Sequence, residues 1–249
     1  NTAVGSEALL VNTTGSYNVA MGWLALGANT TASVNTAVGS WALHTNSTGS
    51  SLTACGHNSL GKNTSGNDNT AVGNYALHEN TTGDNNTAVG RSVLQNNTTG
   101  ELNVAVGGHA LDANTTANEN TAVGYNSLTS NTTAQYNTAC GAGSLAANTT
   151  GVNNTAVGRH ALLDNLTGEK NTAVGQKSLD DNTTGNHNTA VGNQSLDANT
   201  TGSNNVGIGH SALASNTTAS DCVAVGKDCL LSNTTGQQNT AVGVNSLDA

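Results

Sequence analysis

The side chains in this sequence that could carry chemistry recur at a fixed spacing. An Asn with Thr or Ser two residues later stands at one fixed place of a 17-residue period in fourteen successive copies. This is the N-x-[ST] pattern of an N-glycosylation acceptor. Asn, Ser and Thr also hydrogen-bond to backbone in turns, so a structural Asn ladder explains the same pattern, and we favour it. The candidate acceptors are Asn12, Asn29, Asn46, Asn63, Asn80, Asn97, Asn114, Asn131, Asn148, Asn165, Asn182, Asn199, Asn216 and Asn233.

Other reactive residue types are dispersed. Asp180 with Asp181, or Asp164 with Glu169, could form carboxylate pairs for acid–base chemistry, but the sequence offers no hydrophobic pocket that would shift their pKa values. The seven His residues are scattered, whereas a metal site needs several ligands that converge. We therefore predict no catalytic residue, no cofactor and no metal, and expect that the protein is not an enzyme.

The four cysteines do not form an evident pair. Cys55 and Cys140 stand where most repeats have Val, five repeats apart, and we expect them to be small buried hydrophobic residues. Cys222 and Cys229 share one repeat, so a local disulfide is conceivable, although we do not favour it.

These residues belong to a 17-residue tandem repeat. Counting places one to seventeen from Asn1, the chain holds fourteen full repeats and an eleven-residue partial one, without insertion or deletion. Place five is Gly and place nine is Leu in all fifteen. An invariant Gly indicates a positive φ or a close backbone approach. We interpret residues 1–249 as a single repeat array and an excerpt of a longer fibre, because identical units build length rather than one active site.

The period predicts an all-β fold, a parallel β-solenoid with one coil per repeat. Seventeen residues are too few for a helix–turn–helix unit, whereas short strands between Gly- and Asn-rich turns fit one coil. Coils stacked about 4.8 Å apart would place identical side chains in ladders. We expect places two (Thr or Val) and four (mostly Val) to point inward with the Leu of place nine.

That orientation would leave places three (Ala) and eight (Ala or Ser) outward. Outward places that never carry charge would indicate another chain packed against them. Since the core of each coil would also be thin, we expect self-association, as a homotrimer or filament.

Charged and aromatic residues mark the solvent-facing corners. All 21 charged residues, all His and all aromatic residues fall at places six, seven, ten, eleven, sixteen or seventeen. Exposed aromatic rings often anchor recognition, here of a cell-surface glycan or receptor, although tolerated corner residues are the plainer explanation. The candidate contacts are Trp23, Trp41, Tyr17, Tyr75, Tyr125 and Tyr136.

Composition excludes some partners. The net charge is −9, with six dispersed Lys or Arg, which argues against nucleic-acid binding. No apolar run approaches the length that spans a bilayer, so we expect no membrane insertion.

The motif NTAVG, followed by a two-residue corner, Ala-Leu or Ser-Leu and then NTTG, resembles known repeats over the whole chain. It resembles the β-roll heads of trimeric autotransporter adhesins and, more closely, repeats of phage and virus tail-fibre-like proteins. The resemblance implies left-handed coils, a homotrimer and a place outside the cell or on a virion. The period is longer than that of adhesin heads.

The sequence is compatible with three functions. We expect a structural shaft or adhesive fibre. The alternative is an ice-binding solenoid, which requires Thr at place two, or at thirteen and fourteen, to point outward on a flat face. A polysaccharide-acting solenoid enzyme is the least favoured, because it needs a non-repeating carboxylate cluster.

Overall fold

The computed structural model describes residues 1–248 and is all-β, without a helix among them. Each repeat contributes one three-residue strand from places two to four, followed by turns. The strands are β1 Thr2–Val4, β2 Val19–Met21, β3 Thr36–Val38, β4 Thr53–Cys55, β5 Thr70–Val72, β6 Thr87–Val89, β7 Val104–Val106, β8 Thr121–Val123, β9 Thr138–Cys140, β10 Thr155–Val157, β11 Thr172–Val174, β12 Thr189–Val191, β13 Val206–Ile208, β14 Val223–Val225 and β15 Thr240–Val242.

Contacts divide the chain into two compact units. The first is Asn1–Asn120, with β1–β7, and the second runs from Thr121 onward, with β8–β15. Within each unit, every strand pairs in parallel with the next at a shift of one repeat, so that Ala173 lies opposite Ala190. The predicted parallel β-solenoid with 17-residue coils is thus confirmed in each unit, while the single array over residues 1–249 stays a prediction.

The interior of each coil is made of Leu and small residues. The Leu of place nine is buried, as at Leu179, which confirms that part of the prediction. The orientation of the strand, however, is the reverse of the expected one. Ala173 at place three and Ser178 at place eight are fully buried, whereas Val174 at place four leaves 37% of its surface in water. The interior beside each Leu has room for a methyl or hydroxyl group, so the β-branched residues occupy the outer face.

The Gly of place five closes each strand with a conformation that other residues avoid. Gly5 has φ +128°, and a Cβ there would lie 2.7 Å from the carbonyl oxygen of Gly22 in the next coil. Gly39 has φ +134°, with the Gly56 oxygen 2.6 Å from the same point. The two explanations for the invariant Gly, a positive φ and a close backbone approach, therefore both apply.

The corners depend on residues with positive φ that are not Gly. Places seven, nine and seventeen adopt this conformation throughout, for example at Lys177 (φ 57°), Leu179 (φ 52°) and His187 (φ 57°). A left-handed residue of this kind costs about 1–2 kcal/mol. The turns persist because they bury Leu and bond each coil to the next, as between the Leu179 amide and the Ser195 carbonyl at 3.0 Å.

Candidate functional site

The outer face of each sheet is uncharged. Its two ladders are the Thr or Val of place two and the Val of place four, with Met21, Cys55, Cys140 and Ile208 as the variants of place four. Val157, Val174 and Val191 each expose more than a third of their surface, side by side on successive strands. We call these two ladders the Thr/Val face. It differs from an ordinary surface because a row of aliphatic side chains lies in water.

The cysteines follow the same reversal. Cys55 and Cys140, which we expected to be buried, are exposed because they occupy place four of the Thr/Val face. Cys222 and Cys229 are buried, and all four thiols are free. Cys222 stands at place one, where its Sγ donates to the Gly236 carbonyl at 3.2 Å.

The Asn residues of place twelve form internal ladders. Asn182 Nδ2 donates to Asn165 Oδ1 of the preceding coil at 2.8 Å and to the Gly185 carbonyl at 3.0 Å, and Asn182 Oδ1 accepts from Asn199 at 2.8 Å. From Asn29 to Asn216 these side chains are fully buried. A sugar on such an amide would displace these hydrogen bonds, so the geometry favours the structural role. Glycosylation at the fourteen sites stays the untested alternative.

A second Asn ladder, at place one, was not anticipated from sequence. Asn171 Nδ2 donates to the Gly185 carbonyl at 2.8 Å, and Asn171 Oδ1 accepts from the backbone amide of Asn188 at 2.9 Å. The Gly185 carbonyl therefore receives two amide donors, from Asn171 and Asn182. The signal that could have revealed this ladder was the presence of Asn at place one in most repeats.

The predicted aromatic contacts fall into two groups. Tyr17, Tyr125 and Tyr136 leave half or more of their surface exposed. Trp23, Trp41 and Tyr75 belong to a cluster in the first unit that also contains three imidazoles. The ring centroids are 5.4 Å apart for Trp23–Trp41, 4.4 Å for Trp41–His44, 5.6 Å for His57–Tyr75 and 5.1 Å for Tyr75–His78.

A cleft of about 360 Å³ opens within this cluster. We call it the aromatic cleft, and its principal lining residues are Trp41, His44, His57, Asn58, Gly61 and His78. At place ten, Gly61 separates His44 from His78, and at place seven, Asn58 separates Trp41 from Tyr75. Small groups therefore form the floor while rings of the adjacent coils form the walls. Sequence reasoning placed these residues at corners but did not bring them together.

Hydrogen bonds fix several polar groups around the cleft. Asn58 Nδ2 lies 3.1 Å from His57 Nε2, and His78 Nδ1 lies 3.2 Å from the Asn58 carbonyl. Lys62 Nζ contacts both carboxylate oxygens of Glu79, at 2.8 and 2.7 Å. His44 Nδ1 is buried without a hydrogen-bond partner. The cleft thus combines apolar ring faces with a few oriented polar atoms, as small-molecule sites do.

The carboxylates of the second unit form a loose cluster. Burial, followed by the negative charge of Asp180, raises the pKa of Asp181 and of Asp197. Lys177 donates to Asp180 Oδ2 at 2.9 Å, and this hydrogen bond raises the pKa of Lys177. Within residues 1–248, no cluster of three or more His, Cys, Asp or Glu could hold a metal ion.

The sequence matches no protein-family model, and no curated protein is significantly similar to it. Residues 1–248 include no helix capable of crossing a membrane. The likeness to adhesin heads and tail-fibre repeats therefore stays a prediction, and the function must be argued from the Thr/Val face, the Asn ladders and the aromatic cleft.

Proposed function

We propose that this chain is a segment of a structural fibre, extracellular or on a virion, that self-associates and displays adhesive corners. The observation that carries the proposal is the stacking of near-identical coils. Within each unit, each coil is bonded to the next by its strand, its turns and two buried Asn ladders. Repeated nearest-neighbour contacts of this kind give mechanical and proteolytic resistance.

The Thr/Val face supports self-association, with a second copy of this chain as its occupant. Places two and four carry no charge in any repeat, so two such faces can meet without desolvating an ion. Their rungs have the same spacing, about 4.8 Å, so ladders of two copies can interdigitate along the face of each unit. A face built of one repeated unit is complementary to itself.

The exposed Val side chains can supply the required free energy. Full burial of a Val contributes about 1.5–3 kcal/mol, so covering the exposed third contributes about 0.5–1 kcal/mol per rung. The eight strands of the second unit would gain about 4–8 kcal/mol before the costs of association. A homotrimer of left-handed coils is the form that the resemblance favours, since cyclic symmetry closes such a contact.

A charge-insertion experiment tests this proposal. The double variant Val174→Lys and Val191→Lys adds two charges to the Thr/Val face, while Gln176→Lys and Asn193→Lys adds them to corners of the same coils. Sedimentation velocity should show the parent and the corner variant as oligomers, with three chains expected, and the face variant as a monomer. A monomeric parent, or a face variant that associates like the parent, would reject self-association through this face.

One observation favours a second candidate, ice binding. The Thr of place two does point outward, about 7 Å from the Val of place four along each strand and about 4.8 Å from the next rung. Such a regular array could order water at an ice surface, but that role requires a face open to solvent. A monomer that produces thermal hysteresis, lost on replacing Thr172 and Thr189 by Lys, would favour ice binding over self-association.

A further inference from the structure

We infer that the aromatic cleft of the first unit is a binding site for a neutral pyranose sugar, at the scale of a mono- or disaccharide. This inference names a ligand for the adhesive part of the proposed fibre and rests on that part of the proposal. It does not depend on how many chains associate, because the cleft lies at the corners rather than on the Thr/Val face.

The residues around the aromatic cleft differ from those at the other corners of the repeats. Both Trp residues of the chain and three of its seven His lie in four consecutive repeats, at places six, seven and ten. Gly61 removes one rung from the place-ten ladder and so opens the gap between the two rings His44 and His78. A cleft of about 360 Å³ lies at the small end of the range for ligand sites, about 300–1,000 Å³.

The walls suit the face of a sugar ring. The faces of aromatic rings carry partial negative charge, and the C–H bonds on one face of a pyranose carry partial positive charge, so the two stack. Trp41 is held by edge contact with Trp23 and by His44, with ring centroids 5.4 and 4.4 Å away. Because these neighbours restrain its rotamer, Trp41 would lose little conformational entropy when a sugar binds.

The polar atoms suit hydroxyl groups. A sugar hydroxyl both donates and accepts, as imidazole nitrogens and an Asn amide also do in different orientations. Asn58 lines the cleft and is fixed by its contact with His57, so its amide group is held in place for a bound hydroxyl.

Charge distinguishes a neutral sugar from an acidic one. Lys62 is the formally charged residue of the lining, and Glu79 neutralises it through two contacts. The lining has no other Lys or Arg, so a carboxylated sugar would find no free lysine or arginine. A neutral sugar therefore fits better than a sialic acid.

Tryptophan fluorescence can measure sugar binding because the chain has two Trp residues and one of them lines the cleft. A Trp23→Phe background leaves Trp41 as the single tryptophan, so its fluorescence reports on the cleft. The probes are the methyl glycosides of glucose, galactose, mannose and N-acetylglucosamine, with the methyl glycoside of N-acetylneuraminic acid for comparison. We expect a saturable change in Trp41 fluorescence with at least one neutral glycoside and none with the acidic one.

Matched variants locate the binding. Gly61→Gln restores a side chain to place ten, as Gln95 does naturally, and should weaken binding at least tenfold. Ala146→Gln makes a similar change at place ten of the second unit and should leave binding unchanged. In the parent chain, saturation-transfer NMR should show that Trp41→Ala loses the sugar signal and Tyr17→Ala keeps it.

The outcomes distinguish a failure of the sugar-site inference from a failure of the fibre proposal. No saturable response to any neutral glycoside, equal loss in Gly61→Gln and Ala146→Gln, or binding of the acidic glycoside alone would overturn it. Sedimentation of the same samples reports self-association independently. An oligomer that binds no sugar would remove the sugar site and leave the fibre standing.

Discussion

Replacing Asn182 tests whether the buried Asn ladder holds the coils together. In Asn182→Ala three hydrogen bonds disappear, to Asn165, to Gly185 and from Asn199. The Gly185 carbonyl keeps its bond from Asn171, but Asn165 Oδ1 and one N–H of Asn199 stay buried without partners. At about 1–3 kcal/mol for each unsatisfied group, the unfolding free energy should fall by about 2–5 kcal/mol.

The replacement Asn182→Asp should cost more. Its new oxygen would face Asn165 Oδ1 and the Gly185 carbonyl, so two hydrogen bonds become contacts between acceptors around a buried carboxyl group. The control is Thr183→Val, which removes one hydrogen bond from a half-buried hydroxyl to the Thr200 carbonyl and should cost about 1 kcal/mol or less.

Hydrogen exchange read by mass spectrometry measures these effects coil by coil. A loss of about 3 kcal/mol lowers amide protection in the coils flanking Asn182 by about 100-fold. Guanidinium unfolding of the same variants gives the change for the second unit as a whole. A loss of unfolding free energy below about 1 kcal/mol in Asn182→Ala, or equal stability of the Ala and Asp variants, would show that the Asn ladder does not hold the coils together.

Four further substitutions test other parts of the structure by thermal or denaturant unfolding. Ala173→Leu should lower the unfolding free energy by about 1–3 kcal/mol because it overfills the interior, and Val174→Ala should lower it by less than about 1 kcal/mol. A larger loss for Val174→Ala than for Ala173→Leu would indicate that Val174, and not Ala173, points inward. Val34→Asn should stabilise by about 0.5–1 kcal/mol, because Val34 has φ 63° on an exposed corner and Asn tolerates that conformation; a loss of stability would contradict the corner geometry. Burial and the charge of Asp180 raise the pKa of Asp197, so ionised Asp197 destabilises the fold above its pKa and this penalty vanishes as the pH falls. Asp197→Asn should therefore stabilise the fold by a few tenths to about 1 kcal/mol at pH 7 and not at pH 3. An equal gain in stability at both pH values would refute the electrostatic cause.

Much of the coil was predictable because each place of the repeat can be compared over fifteen copies. The strand between Asn171 and Gly175, the buried Leu179 and the exposed corners all follow from which places vary and which do not. The inward side of the strand did not follow, because a three-residue strand is too short to show alternation and Thr, Ala and Val are all compatible with either side. Constant small volume at place three was the missed sign of an interior position.

The aromatic cleft was harder to predict for a different reason. Places seven and ten lie on one side of the coil because residues such as Asn58 (φ 56°) and Leu60 (φ 49°) turn the chain sharply. Ordinary residues rarely adopt that conformation, so the sequence gives little warning of it. The spacing of Trp41 and His44 alone did not indicate that their rings meet.

The native thiols give the most direct test of the whole account. Pulse labelling with a maleimide, read by peptide mass spectrometry over a range of protein concentrations, compares Cys55 and Cys140 on the Thr/Val face with Cys222 and Cys229 in the interior. Cys55 and Cys140 should react in dilute protein and become protected as chains associate, whereas Cys222 and Cys229 should react only when the protein is unfolded. Interior thiols that label as fast as Cys55, or a Cys55 that stays unreactive at every concentration until denaturant is added, would contradict this arrangement of the two faces.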